Sequence, residues 1–354
     1  MSDDNPVTTP SGASPLAAFT TLRLGGPAAQ LHAATTDDEL VQIVRSSAVP
    51  PLILGGGSNV VIADAGVPGP VVLLRTRGLS VADNGDRVVL SVAAGEPWDA
   101  TVHAAVAAGY SGLECLSGIP GAAGATPIQN VGAYGQEVAE TISAVRVYDR
   151  VDDQLRTLTP AECGFGYRHS IFKHQDRYLV LGVDFQLYRS TLSAPIRYAE
   201  LARALGVGVG DRVPLADARA TVLRLRAGKG MVLDPDDPDT YSVGSFFMNP
   251  VLAEPALADL LARTDPADPP RVFPGPDGSA KVSAAWLIEH AGFGRGYSIG
   301  GDVALSSKHT LALTNRGNGS TTALLALARH IRDGVHQRFG VTLRPEPVLV
   351  NCTL

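Results

Sequence analysis

The sequence lacks the features that mark several classes of protein. Its 354 residues include only three cysteines, Cys115, Cys163 and Cys352, too widely spaced for a CxxC redox or zinc motif. The eight histidines include no HExxH pair, so we predict no metal site built from protein ligands alone. We therefore expect reduced thiols and a compartment without disulfide formation.

Long apolar runs and long basic runs are also missing. No stretch of 18 apolar residues is present, as a membrane helix needs, and residues 1–5 are acidic where a secretory signal carries cations. The 29 basic and 35 acidic residues give a net charge of −6, and the most basic stretch covers only residues 224–229. We expect a cytoplasmic protein that binds neither membranes nor nucleic acid.

What is present is typical of a globular α+β fold. Hydrophobic residues make up 45% and charged residues 18%, which excludes disorder for most of the chain. Short apolar runs alternate with amphipathic stretches. Predicted strands lie at 51–54, 60–62, 71–74, 88–92, 145–148, 178–187 and near 312 and 348; predicted helices start at 37 and cover 97–109, 214–229, 283–291 and 320–339.

The length predicts two or three domains. Residues 1–16 are rich in Ser, Thr, Pro and Ala and are predicted to form a disordered arm, so that the fold begins near Phe19. Residues 17–209 form one predicted domain, with two subdomains that divide near 75, and residues 210–340 form another. The last segment, 341–354, carries Glu346, and its return to the first domain is left open.

Two glycine-rich loops are candidates for binding. The first follows one predicted strand and precedes another, and its glycines can turn backbone N–H groups toward an anion such as a diphosphate. A simple tight hairpin is the alternative for this loop, because its spacing fits neither GxGxxG nor the P-loop. Its residues are Gly55, Gly56, Gly57, Ser58 and Asn59.

The second loop lies in 22 consecutive uncharged residues, 115–136, which glycines and prolines break up too often for a membrane helix. Loops of this length within a compact domain usually have a function. The amides of Gln129 and Asn130 suit the edge of a flat heterocycle, although a buried loop also needs amides for its own backbone. The candidate residues are Gly118, Ile119, Pro120, Gly121, Gly124, Ala125, Gln129, Asn130, Gly132, Ala133 and Tyr134.

These loops and four further motifs resemble, in order and over nearly the whole chain, the UDP-N-acetylenolpyruvoylglucosamine reductase family. The motifs are TLRLGG at 21–26, GGGSN at 55–59, SGIPG at 117–121 with PIQNVGAYG at 127–135, YRHS at 167–170, GSFFMNP at 244–250 and RPE at 344–346. Any one of them is weak evidence, whereas their order is specific.

The resemblance implies an α+β flavoprotein of the vanillyl-alcohol-oxidase type. FAD would be held without a covalent bond by both glycine loops, between two amino-terminal subdomains, and a carboxy-terminal domain would bind the UDP-sugar. NADPH would supply hydride to reduce UDP-N-acetylglucosamine enolpyruvate to UDP-N-acetylmuramate in peptidoglycan precursor synthesis. We expect a monomer.

The resemblance also implies three catalytic residues. Hydride addition to the vinyl group pushes charge into the substrate carboxylate, where Arg168 offers a cationic fork and Glu346, if protonated, a hydrogen bond. Ser245 would then protonate the α carbon. The alternatives are a surface ion pair for Arg168, a solvated turn for Glu346 and a turn or cap for Ser245.

Four residues are candidates for substrate binding by the same resemblance: Tyr167, Tyr198, Lys229 and Asn249. Tyr198 matches a tyrosine on a mobile loop in the longer form of the family, and Lys229 would meet a phosphate, with a helix-end cation as its alternative. Met248 and the stretch 289–292 depart from the family pattern, so individual diphosphate contacts stay open.

Two other functions are compatible with these motifs. One is a different flavin oxidase of the same fold, although its covalent-flavin members need a histidine that these glycine loops lack. The other is a nucleotide-sugar sensor without turnover. Retention of Arg168, Ser245 and Glu346 argues against the sensor, because a binding protein has no need of all three.

Overall fold

The computed structural model describes residues 15–275 and 278–354, and they form a mixed α+β structure. The helices are α1 Asp37–Ser46, α2 Trp98–Ala107, α3 Pro160–Cys163, α4 Ala199–Leu205, α5 Leu215–Ala227, α6 Glu254–Leu261, α7 Ala284–His290 and α8 Thr321–Phe339. The strands are β1 Ala28–Ala34, β2 Leu52–Leu54, β3 Val60–Ile62, β4 Val67–Leu74, β5 Leu79–Asn84, β6 Arg87–Ala93, β7 Tyr110–Ser111, β8 Gly132–Ala133, β9 Gln136–Glu137, β10 Ile142–Asp149, β11 Gln154–Leu158, β12 Tyr178–Arg189, β13 Val251–Leu252, β14 Val272–Pro274, β15 Ala280–Val282, β16 Val303–Leu305, β17 Leu313–Asn315 and β18 Val348–Val350. Each predicted helix and strand has a counterpart here.

The predicted arm is wrong at its carboxyl end. Residues 1–14 lie outside the described residues, but Pro15 forms a β-bridge with Pro27, and Leu16, which is fully buried, begins a 3-10 helix. The fold therefore starts before Phe19, because Leu16 contributes an apolar side chain that the Ser, Thr and Pro content of the segment had masked.

The chain divides into two compact units. Unit 1 contains Ala28–Gly56 and Pro68–Val232, and unit 2 contains Pro15–Pro27, Gly57–Val67 and Leu233–Leu354. This division differs from the predicted boundary near 210, since the buried face of α5 packs with Ile196 and Leu201 in a small core of unit 1. The assignment of cofactor and substrate roles to separate domains stays a prediction.

Unit 1 is built on an antiparallel sheet with strand order β11-β10-β12-β6-β5 and a smaller sheet with order β1-β4-β2. The 12-residue strand β12 is the central element, because its apolar residues are almost all buried. Phe185 of β12 packs against Trp98 of α2, with ring centroids 5.5 Å apart, and both side chains are excluded from solvent.

Unit 2 is organised around α8. Leu324, Leu327, Ala328 and Ile331 are buried on one side of this helix, at the three- and four-residue spacing of an amphipathic helix. Asp64 lies at its amino end, where the carboxylate accepts hydrogen bonds from the N–H groups of residues 321 and 322. In the smaller sheets of this unit, β18 pairs in parallel with β3, β16 with β17, and β15 with β13 and β14.

Within residues 15–275 and 278–354, none of the helices combines the length and apolar character needed to cross a bilayer. The same residues contain no group of three or more His, Cys, Asp or Glu side chains placed to hold a metal ion.

Replacement of Phe185 by alanine tests the core of unit 1. We expect Phe185→Ala to lower the free energy of unfolding by about 3–5 kcal/mol, because it leaves a cavity beside Trp98. Leu155→Ala is the control, since Leu155 is 69% exposed, and its effect should stay within about 0.5 kcal/mol. Denaturant unfolding followed by tryptophan fluorescence measures both, and equal effects would contradict this packing.

Candidate functional site: two glycine loops and a divided set of polar residues

The first glycine loop is not a hairpin. It follows β2, which pairs in parallel with β4, and it precedes β3, which pairs in parallel with β18. The two strands that flank the loop are therefore in different sheets, and the hairpin alternative is wrong. A turn between paired neighbours would need no other contact, whereas this loop connects two separate strand pairs.

In unit 1 this loop packs against the second glycine loop. A Cβ atom added at Gly56 would lie 2.6 Å from the Cα of Gly121, and one at Gly55 would lie 3.0 Å from the Cβ of Ala122. Only glycine permits this approach of one backbone to another. Gly121 itself has a φ of +125°, a conformation that residues with a side chain rarely adopt.

The second loop is fixed at the amino end of α2. The N–H of Trp98 donates to Gly121 O at 3.0 Å, and the N–H of Gly124 donates to Ala94 O at 2.9 Å. A Cβ at Gly124 would lie only 2.4 Å from the Cβ of Ala94. The loop is held by main-chain bonds on both sides of Gly121.

These loops fit a diphosphate. Among the described residues, the N–H groups of Gly56 and Gly121 donate no hydrogen bond, so they are available to an anion. Backbone N–H groups in glycine turns are common ligands of phosphate oxygens. The candidate cofactor residues from 55 to 134 stay predictions, but their backbone chemistry suits this part of FAD.

Gly57 belongs to unit 2 and makes a different close contact. Its φ is +60°, and an added Cβ would lie 2.0 Å from Phe19 O. Its carbonyl accepts a hydrogen bond from the N–H of Thr21, in the TLRLGG motif, at 3.1 Å. The glycine is required by the contact between these two motifs, whatever it does for a ligand.

The Asn130 side chain forms hydrogen bonds within the protein, as expected if a buried loop needs amides for its own backbone. Its Nδ2 donates to Glu137 Oε2 at 2.8 Å and to Gly166 O at 3.1 Å, and its Oδ1 accepts from the N–H of Ala139 at 3.1 Å. The residue is buried and has a φ of +45°. Its amide thus supports the loop and does not present an edge to a heterocycle.

Arg168 is attached to the same loop. Its guanidinium donates to Gly132 O at 2.9 Å and to Asn130 O at 3.3 Å, and its backbone has a φ of +52°. Strained φ values are concentrated at functional sites. Main-chain acceptors therefore orient the guanidinium of Arg168. The guanidinium carbon lies 5.5 Å from the ring centroid of the preceding residue, Tyr167.

Three more candidate residues in unit 1 lie together. The rings of Tyr134 and Tyr198 meet edge to face with centroids 5.5 Å apart, and Lys229 Nζ lies 5.6 Å from the Tyr134 ring. Lys229 also forms an ion pair with Glu200 at 2.7 Å. Burial raises the pKa of Tyr134 to about 12, despite the nearby charge of Arg226, so its hydroxyl is neutral at pH 7.

In unit 2 the segments that carry Ser245 and Glu346 run side by side. The N–H of Glu346 donates to Phe246 O at 2.9 Å, and Phe247 forms an antiparallel bridge with Pro345. Ser245 and Glu346 are both partly buried, and their catalytic roles stay predictions. Main-chain contacts thus join two motifs that lie about one hundred residues apart in sequence.

Asn249 has a structural partner in this unit. Its Oδ1 accepts from the N–H of Ala284 at 2.9 Å, at the first residue of α7. Its role in nucleotide binding stays a prediction.

Arg226 lies beside the second glycine loop, although no sequence motif marks it. This arginine lies in α5, and its Nε is within 3.4 Å of the position of a Cβ at Gly118. Burial lowers its pKa, while Tyr134 and Asp99 act in the opposite direction. Among the described residues its Nε is shielded and has no hydrogen-bond partner. The contact joins residues more than one hundred positions apart in sequence, so no local pattern marks it.

Comparison with known proteins identifies the family. Residues 236–350 match the model of the UDP-N-acetylenolpyruvoylglucosamine reductase carboxy-terminal domain, and residues 28–158 match an FAD binding domain. UDP-N-acetylenolpyruvoylglucosamine reductase of Salinispora arenicola is 61% identical over 96% of this chain and 95% of its own, and that of Thermobifida fusca is 56% identical over 96% and 98%. The chain belongs to this family.

A solved member of the family also has a similar structure. The UDP-N-acetylenolpyruvylglucosamine reductase of Thermus caldophilus is 27% identical, covers 96% of this chain and 98% of its own, and has a TM-score of 0.66. The family resemblance, the α+β class and the FAD-binding fold predicted from sequence are confirmed.

The contact between the two loops gives a direct test. We expect Gly56→Ala to weaken FAD binding about tenfold or more, because the new methyl group would overlap the backbone at Gly121. Gly294→Ala is the control, since a Cβ there meets no atom within 4 Å. The flavin-to-protein absorbance ratio and FAD titration of the apoprotein measure the effect. Normal FAD affinity in Gly56→Ala would show that the loops do not shape the site.

Proposed function

We propose that the protein reduces UDP-N-acetylglucosamine enolpyruvate to UDP-N-acetylmuramate in peptidoglycan precursor synthesis, with FAD as cofactor and NADPH as hydride donor. The observation that carries this proposal is the family identity over 96% of the chain, together with retention of Arg168, Ser245 and Glu346. It acts in the cytoplasm as a monomer and binds no nucleic acid.

The reaction adds one hydride and one proton across a carbon–carbon double bond. The two glycine loops would hold FAD, which would supply hydride chemistry between NADPH and the terminal vinyl carbon of the substrate. Negative charge then develops on the α carbon and the carboxylate of the substrate. The protein has to hold that charge and to supply one proton to the α carbon.

Arg168 holds the carboxylate in this proposal. A guanidinium fork binds both carboxylate oxygens, and bonds to the carbonyls of Asn130 and Gly132 limit its rotation. The Arg168 side chain therefore loses little conformational entropy when the substrate binds. A lysine at this position keeps the charge but loses the planar fork.

Ser245 and Glu346 act at the α carbon. Serine is a weak acid in water, but a carbanion-like carbon is basic enough to take its proton where Phe246 and Phe247, both buried, help to exclude solvent. Glu346, whose backbone is bonded to Phe246, donates a second hydrogen bond if its carboxyl group is protonated. The bond between the two segments supports a joint role.

The function is tested by a half-reaction experiment without oxygen. The purified protein is reduced with NADPH, which should bleach the visible flavin absorbance, and the UDP-enolpyruvyl sugar is then added. We expect the absorbance to return with formation of one UDP-N-acetylmuramate per flavin. If the sugar leaves the reduced flavin unchanged while oxygen reoxidises it rapidly, the protein is an oxidase and the proposal is wrong.

Ser245→Ala tests the proton donor separately. We expect this variant to bind FAD and to be reduced by NADPH at the normal rate, because neither event needs a proton at the α carbon. Flavin reoxidation by the enolpyruvyl substrate in a single turnover should slow about 10²- to 10⁴-fold. Ser46→Ala, an exposed serine at the end of α1, is the control. Reoxidation of Ser245→Ala at the normal rate would assign the proton to another group.

A further inference from the structure

A cation that the mechanism does not use lies beside the first glycine loop. Arg75 directly follows β4, and Gly55 directly follows β2, the strand paired in parallel with β4. The carboxyl ends of parallel strands meet at one edge of a sheet, and ligands of α/β sheets commonly bind outside that edge. Arg75 Nη1 donates to Gly55 O at 3.2 Å and to Leu74 O at 2.9 Å.

No anion within the described part of the chain compensates this charge. Arg75 is partly buried and its hydrogen bonds reach only main-chain carbonyls, with no carboxylate in ion-pair contact among the described residues. Burial and the positive charge of Arg77 both lower the pKa of Arg75. Glu96, whose carbonyl and side chain bond the neighbouring segments, accepts from the N–H of Gly78.

The segment that carries Arg75 is also joined to the second loop. Thr76 Oγ1 accepts from the N–H of Gly95 at 2.9 Å, and the guanidinium of Arg77 donates to Gly95 O. Residue 94, next in the chain, accepts the N–H of Gly124 at 2.9 Å. Arg75 thus contacts the carbonyl of the first glycine loop, and its segment is bonded to the residues that hold the second loop.

We propose that Arg75 binds the diphosphate of FAD as its charge partner, in addition to the backbone N–H groups of the two loops. A partly buried cation held by neutral carbonyls gains most from an anion that arrives with the ligand, because such sites have low effective dielectric constants. The inference rests on the proposed function for the identity of the ligand, and it adds a residue outside the glycine motifs.

The test separates binding from a structural role. A residue that only supports the loop should destabilise the apoprotein when it is replaced. An uncompensated cation should have the opposite signature, since its removal relieves an unfavourable charge in the apoprotein and costs affinity only when the diphosphate is present. The full-length protein is freed of flavin, and the thermal midpoint of the apoprotein and its dissociation constant for FAD are measured for each variant.

For Arg75→Gln we expect an apoprotein midpoint equal to or above that of the wild type, with FAD affinity about tenfold to a hundredfold weaker. Arg75→Lys keeps the charge and should recover part of the affinity. ADP, which carries the diphosphate without the flavin ring, should lose affinity by a similar factor in Arg75→Gln, whereas adenosine should show no difference.

Arg150→Gln is the matched control. Arg150 is also in unit 1, and its guanidinium also donates to a main-chain carbonyl, Asp176 O at 2.8 Å. This variant removes the same charge and should leave FAD affinity unchanged.

Two results would overturn the inference. One is a lowered thermal midpoint of the Arg75→Gln apoprotein together with an affinity for ADP that, like that for adenosine, equals the wild-type value. That result would make Arg75 a structural residue. The other is FAD affinity equal to that of the wild type. Failure of the proposed function looks different, because the wild type would then still bind FAD but its reduced flavin would not be reoxidised by the UDP-enolpyruvyl sugar.

Discussion

The candidate site depends on the close approach of two backbones in unit 1. The loops at Gly56 and Gly121 leave no space for a Cβ between them, and Gly124 is equally close to Ala94. Glycine residues lose more conformational entropy on folding than others, so ordering them needs compensation from the bonds around them. The main-chain bonds to Trp98 and Ala94 give that compensation, and the N–H groups of Gly56 and Gly121 donate no hydrogen bond among the described residues.

The residues proposed for catalysis and for binding the diphosphate occur in both units. Unit 1 carries the cations, with Arg168 bound to the second glycine loop and Arg75 to the first. Unit 2 carries the hydroxyl and carboxyl groups, Ser245 and Glu346, on two bonded segments.

Sequence patterns predicted the elements whose burial follows a regular period. Strand β12 and helix α8 were predictable because apolar residues mark their buried faces over many positions. The path of the first glycine loop was not predictable from the sequence. Its flanking strands pair with β4 and β18, and β18 lies almost three hundred residues away. Non-local strand pairing leaves no local signal.

The same limit applies to single polar residues. The Asn130 side chain is an amide of the kind that binds heterocycles, yet its hydrogen bonds are to Glu137, Gly166 and Ala139 of the protein itself. No motif marks Arg75 or Arg226, because the main-chain carbonyl and the glycine that they approach come close to them only in the fold. The family motifs indicated the two glycine loops as candidates for binding. The fold was needed to show which polar side chains in and beside the loops form hydrogen bonds within the protein.

A crystal structure of the protein with bound FAD tests the central claim most directly. We expect diphosphate oxygens within about 3.2 Å of the N–H groups in the loops that contain Gly56 and Gly121. We also expect the Arg75 guanidinium to lie against the same diphosphate. A diphosphate bound elsewhere, with both loops facing only protein, would contradict this account of the site.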